Sequence, residues 1–266
     1  MQSKKRIKRE RTTPMTIPDI ILYIIIFIYG IVIGSFLNVC IYRIPKGENI
    51  AKVRSHCMNC GYQLKWYDLI PLFSYLCLGG KCRKCKTHIA AQYPIVEFTN
   101  GLLYLLIFAV NGMQISSFLY CFLTSALIVL SVIDFRTFEI PFGINVFIFI
   151  LGIIQVIVDY KNWLNYLIGF FAVSVFMWIV IWFTKGKGFG GGDMKLMAAA
   201  GLLLGWKQII LAFLLGCIVG SVCHLIRMKV TKEDHVLAFG PYLSVGIFLS
   251  MLWGDGMIQW YFESML

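Results

Sequence analysis

Two aspartates stand out as residues that could do chemistry in an otherwise apolar setting. Asp193 closes a glycine run, Gly190-Gly191-Gly192-Asp193, and opens the small, oily stretch MKLMAAAGLLLG. Asp134 stands in SVIDFRTFEIP, at the end of another apolar run. A carboxylate between apolar runs is costly unless it is used. A glycine-rich turn entering a helix often cradles phosphate, but this one lacks the spacing of a P-loop. Two carboxyls at one depth can instead share a proton, one activating water while the other protonates the carbonyl or the leaving amine. Like charges at close range in a low-dielectric site cannot both ionise. Glycines before Asp193 would let backbone approach an extended peptide and let the chain turn sharply into a helix. That makes Gly190, Gly191 and Gly192 candidate substrate-binding positions. Taken singly, each aspartate could as well cap a helix or sit in headgroup water; at matched depth the pair points to catalysis. Glu139 reads as an interfacial charge near Arg136, and Lys195 as facing solvent or headgroups.

Four cysteines offer a second kind of chemistry. Cys57-Met-Asn-Cys60 and Cys82-Arg-Lys-Cys85 are two C-x-x-C pairs separated by 21 residues. Two such knuckles bring four thiolates to tetrahedral distance around zinc, and a reducing compartment would keep them available for it. A structural zinc there would hold together a domain of roughly 50 residues, too small for a large core. Two disulfides or unligated thiols are the other readings of the same spacing. His56 and His88 flank the pairs and read as surface residues. Cys77 reads as a spare, packed thiol. Cys40, Cys121, Cys217 and Cys223 lie in apolar runs, where cysteine behaves as a small hydrophobe.

The elements that must position these groups are membrane helices. Of 266 residues, 59% are hydrophobic and 14% charged, which excludes an ordinary soluble globule. Uncharged runs cover 20–42, 140–158, 163–184, 208–226 and 236–254. The longer run 98–133 breaks at Asn111-Gly112-Met113-Gln114 and reads as a hairpin of two spans. A shorter helix, 193–206, opens at Asp193. The expectation is an all-α polytopic membrane protein of about eight membrane helices, with a small zinc-binding cytoplasmic domain between the first and second. Its parts would be a basic N-terminal tail (1–19), a first span (20–42), the zinc-binding domain (43–96) and a helical membrane domain (97–260). The first apolar run is too long for a cleaved signal peptide.

The charge pattern orients these helices. The formal net charge of +11 could suggest nucleic acid, but the basic residues flank apolar runs, so a bilayer is the expected partner and nucleic acid is not. With 43–96 in the cytoplasm, nine basic residues fall in that segment and seven more on the same side, from Arg136 to Lys232. Only Lys161 and Lys207 fall opposite, a strong positive-inside bias. The tail from Lys4 to Arg11 opposes it with six basic residues. This orientation places Asp134 and Asp193 at one depth, near the cytoplasmic face.

Over nearly its whole length the chain resembles the bacterial type IV prepilin peptidases, the leader peptidase/N-methyltransferases of the G-x-G-D membrane aspartic protease class. The motifs that carry the resemblance are GSFLNVCIYRIP (34–45), the two C-x-x-C pairs, DLIPLFSYLCLGGKCRKC (68–85), YPIVE (93–97), D-x5-IP (134–141), GGGDMKL (190–196) and FGPY (239–242). The chain departs from the family at Met58, where proline is frequent, and at Phe142, where aspartate is common. The resemblance implies that Asp134 and Asp193 carry the peptidase. It implies type IV prepilin or pseudopilin substrates, each with a short basic leader before a hydrophobic helix, cut at the cytoplasmic face of the cell membrane. It also implies methylation of the new N-terminus, supported by the cysteine segment, with S-adenosylmethionine as donor. No glycine-rich methyl-donor fold is visible in that segment. A transporter using the carboxylates as proton relays would not explain the knuckles, and a methyltransferase alone would not explain the aspartates. A presenilin-like protease would share the turn but not the cysteines.

Overall fold

The computed structural model describes residues 17–186, 188–231 and 238–265. Most of the basic tail, Lys187, Lys232 and positions 236–237 of the last expected span lie outside the described residues. Among the described residues ten α-helices follow one another: α1 (Ile17–Arg43), α2 (Phe73–Cys77), α3 (Gln92–Asn111), α4 (Ile115–Thr137), α5 (Phe142–Val158), α6 (Trp163–Ala172), α7 (Ser174–Phe183), α8 (Gly191–Leu204), α9 (Trp206–Thr231) and α10 (Gly240–Met265). Among the described residues the only β pairing is two isolated bridges, His56 with Gln63 and Lys81 with His88.

Among the described residues five stretches are long and apolar enough to cross a membrane: Ile17–Lys46, Gln92–Asn111, Ile115–Thr137, Tyr160–Phe183 and Trp206–Lys229. Helix α5, at 17 residues, is apolar but shorter. Helix α8 has only 14 residues. In α10, Gly246, Gly254, Gly256 and Asp255 dilute the apolar residues.

The helix ends follow from local chemistry. The expected hairpin turns where Gly112, at φ +71°, ends α3 and the Ser117 hydroxyl donates to the Gly112 carbonyl. Pro141, whose φ suits a helix entry, precedes the first residue of α5. The expected span 163–184 is divided at Val173, because the Ser174 hydroxyl donates back to the Phe170 carbonyl, a bond that bends helices.

Helix α8 lies at the centre of the bundle, packed by α5, α6, α7, α9 and α10. Every residue from Leu196 to Leu204 is buried, as expected of a helix that is apolar on all sides. The small residues of its sequence permit this. A Cβ on Gly201 would fall 2.2 Å from the Gly169 carbonyl oxygen, so α6 and α8 cross backbone to backbone. On the far side, α1 pairs with α3, and a Cβ on Gly34 would fall 2.7 Å from the Glu97 Cα. The outward face of α1, from Ile20 to Phe36, exposes its aliphatic and aromatic side chains.

The segment between α1 and α3 stands apart from this bundle. It has short helical turns and no core of its own beyond Cys82. Cys77 is exposed at the end of α2, not packed, because a five-residue helix buries none of its faces.

Candidate active site

Asp134 occupies the last full turn of α4, just before Phe138 leaves the helix in a left-handed conformation and donates its amide to the Asp134 carbonyl. Its side chain is 4% exposed. The amide of Gly240, first residue of α10, donates to Asp134 Oδ2 at 2.9 Å. Asp193 lies in the first turn of α8 and is 8% exposed. The amide of Gly190 donates to Asp193 Oδ2 at 3.2 Å. Each carboxylate thus accepts a backbone amide at the start of a helix, where the helix dipole favours negative charge. Gly192, next to Asp193, lies against Ile140 in the loop that leaves Asp134, so the two stretches that carry the aspartates meet.

At the three glycines the chain passes from extended backbone at Gly190 into the helix at Gly191. None of Gly190, Gly191 and Gly192 has a positive φ. They are needed for space: a Cβ on Gly190 would meet Asp193 Oδ2 at 3.0 Å, and one on Gly192 would meet Ile140 Cβ at 3.0 Å. Gly191 has no atom within 4 Å of its would-be Cβ, so the outer face of the turn is open.

Two further residues belong to this end of the bundle. Asn145, in the first turn of α5 and buried, donates its side-chain amide to the Gly192 carbonyl at 3.3 Å. It braces the turn from which Asp193 emerges. Its amide inside the largely apolar run 140–158, which holds one other, Gln155, was the signal, since a polar group in such a run must find a partner. Gly240 lies in the FGPY motif, but nothing local in the sequence links it to Asp134. Glu139 is exposed. Lys195 is exposed, with its ammonium 5.3 Å from the centre of the Phe142 ring.

The second candidate centre is the four cysteines. Sγ atoms of Cys57, Cys60, Cys82 and Cys85 all lie within 4.8 Å of one another, and all four are free thiols. Cys57 and Cys85 are 3.7 Å apart, close to the roughly 3.8 Å that a tetrahedral Zn–S distance of about 2.3 Å implies. The donor set therefore fits a metal ion. The two knuckles are built alike: Cys57 and Cys82 each donate an amide five residues on, to the carbonyls of Tyr62 and Thr87. Each knuckle turns back through a left-handed residue, Gly61 at φ +68° and Lys86 at φ +58°. Asn59 crosses between them, donating to the Thr87 hydroxyl at 2.7 Å. The Thr87 hydroxyl and amide beside Cys85 hold its thiol down at about 5, the anionic form that binds metal. Asp68 gathers the segment, accepting from Arg83 at 2.7 Å and from the Tyr62 hydroxyl at 3.4 Å. His56 and His88 are exposed and lie outside the cluster.

Both centres face the same end of the bundle. The guanidinium of Arg136, two residues past Asp134, donates to Gln92 at the start of α3, and Gln92 donates to Asn38 of α1.

Two family profiles match the chain. Residues 28–111 match the bacterial peptidase A24 N-terminal domain, and residues 121–225 match the type IV leader peptidase family. The chain is similar to proteins named prepilin leader peptidase/N-methyltransferase. That of Pseudomonas aeruginosa is 31% identical over 88% of this chain and 91% of the relative. That of Aeromonas salmonicida is 29% identical over 91% of this chain and 94% of the relative. That of Burkholderia pseudomallei strain 1026b is 29% identical over 85% of this chain and 84% of the relative. No solved structure matches the chain.

Proposed function

Because this chain belongs to the type IV leader peptidase family, we propose that it cleaves the leader from type IV prepilins or pseudopilins and N-methylates the new N-terminus. The observation that carries the peptidase half is the pair of buried carboxylates, each on a backbone amide, beside an open glycine turn. Asp134 and Asp193 are its catalytic residues. One carboxylate takes a proton from water as the oxygen attacks the scissile carbonyl. The other donates its proton to the carbonyl oxygen, and then the amine leaves with a proton. Water is added across the bond: hydroxyl to the leader's new carboxyl, hydrogen to the mature amine. The extended leader lies against Gly190, Gly191 and Gly192, on the face left open at Gly191. A slim glycine before the scissile bond suits that turn.

The reading has eight membrane helices: α1, α3, α4, α5, the α6–α7 pair, α8, α9 and α10. Residues 43–96 form a cytoplasmic zinc-binding domain between the first and second of these, and 97–260 form the membrane peptidase domain. The sixteen basic residues on the side of this segment, against Lys161 and Lys207 on the other, support that orientation in the cell membrane. Cys57, Cys60, Cys82 and Cys85 hold zinc, which supplies folding free energy to a segment with almost no core. S-adenosylmethionine supplies the methyl group; the segment has no glycine-rich turn into a helix of its own, and no residue is assigned to the donor.

The test is cleavage of a synthetic prepilin in liposomes. Asp134→Asn and Asp193→Asn each keep an oxygen for the amide of Gly240 or Gly190, yet should each lower cleavage at least 1,000-fold, on the order seen when one member of a catalytic unit is removed. Near wild-type turnover in either variant excludes the dyad.

A further inference from the structure

We propose that Glu97 is a positioning residue for methyl transfer: it holds the cysteine segment, through the amide of Leu72, over the end of the bundle where the new N-terminus is released. This rests on the methyltransferase half of the proposed function and assigns a residue that neither the dyad nor the cysteine cluster uses.

Glu97 lies one turn into α3 and is 7% exposed, an expensive place for a carboxylate. It is held there rigidly. Gly34 brings α1 against its backbone. Its Oε2 accepts the amide of Leu72 at 2.8 Å. Leu72 is an unusual donor. It sits at φ +59°, ψ −51°, and Phe73 donates its amide across it to the Pro71 carbonyl at 2.6 Å. That is a classic-hand γ-turn, rare and strained for a residue with a side chain. Such a turn persists only where its surroundings hold it, and here the surrounding group is a buried carboxylate.

The position of this bond explains what the strain achieves. The segment from residue 44 to residue 91 buries almost nothing of its own. Arg43 bonds the carbonyls of Asn49 and Ile50 close to the exit from α1. Glu97 instead reaches the middle of the segment, between the two knuckles. Its hydrogen bond runs to Leu72, whereas Asp134, Asp193 and Gly240 are carried by α4, α8 and α10. Breaking it should therefore loosen the segment without disturbing the dyad. Cleavage frees an amine at this end of the bundle, and the second reaction must act on that amine before it leaves. A segment held at one fixed position can meet it; a tethered, mobile one cannot do so efficiently.

The experiment uses the full chain in liposomes with a synthetic prepilin. Mass spectrometry counts the cleaved and the methylated product separately, and zinc is measured on the same samples. Glu97→Ala should leave cleavage within about twofold and zinc content unchanged, and lower methylation at least tenfold. Glu97→Gln, which keeps an oxygen for the Leu72 amide, should restore most of the methylation. Leu72→Gly in the Glu97→Ala background should restore part of it, because glycine adopts the turn without strain. Three results would overturn the assignment: cleavage, methylation and zinc falling together; methylation unaffected by Glu97→Ala; or Glu97→Gln as inactive as Glu97→Ala, which would make the charge, not the hydrogen bond, the essential feature. Wild-type enzyme that cleaves but never methylates would overturn the methyltransferase reading itself, and this assignment with it.

Discussion

The amide of Gly240 donates to Asp134 Oδ2 at 2.9 Å, joining the start of α10 to the end of α4 across 106 positions of sequence. The glycine allows that approach. A Cβ at position 240 would lie 2.7 Å from the same oxygen and 3.0 Å from Leu130 Cδ2. Gly240→Ala should therefore displace the Asp134 carboxylate and lower cleavage by about tenfold or more, since small misplacements of a catalytic group are costly. The check is kcat/KM on a synthetic prepilin; an unchanged value would show that α10 does not set the position of Asp134.

Asn145 braces the turn before Asp193 through the Gly192 carbonyl. Asn145→Leu keeps the volume and removes the donor, leaving that carbonyl without this bond. Cleavage should fall by roughly tenfold, a loss matching the about 1–3 kcal/mol of an abandoned buried partner. Zinc content should not change, because Asn145 does not contact the cysteine segment. Comparing kcat/KM and bound zinc in one preparation tests both halves of the expectation.

The purified chain should carry one zinc. Replacing Cys57 and Cys82 together by serine removes a ligand from each knuckle and should bring bound metal to background. Chelation should make residues 44–91 susceptible to proteolysis while the helices stay intact, since metal binding is folding free energy in so small a segment. Full zinc content in the double variant would place the metal elsewhere.

Lys52 and Lys161 are exposed, and the proposed orientation puts them on opposite sides of the membrane. With single cysteines at these two sites, in an active background lacking competing reactive thiols, an impermeant thiol reagent should label position 161 in intact cells. Position 52 should react only after the cells are opened. Labelling of position 52 from outside would invert the orientation and remove the cytoplasmic setting of both proposed reactions.

Much of this protein follows from local sequence, and the reason is that apolar length, ligand spacing and helix-end chemistry are local properties. The runs around Ile26, Leu105, Leu123, Ile148, Ile168, Leu203, Phe213 and Ile247 mark their helices whatever packs against them. Cys57, Cys60, Cys82 and Cys85 form a cluster because each C-x-x-C pair is a closed turn in its own right. Asp134 and Asp193 are conspicuous because charge in an apolar run needs a use. The tertiary structure decided what those residues touch. Helix rotation and crossing, set by contacts such as Gly169 on Gly201, turn Asp134 toward Gly240 and bring Asn145 under Gly192. They also decide that Gly190 and Gly192 stand against Asp193 and Ile140, and that Cys77 is exposed where packing was expected. Glu97 shows the difference most clearly. Its sequence neighbours say only that a carboxylate enters a membrane helix; the partner that makes it affordable, the Leu72 amide, lies on a loop whose course no local pattern specifies.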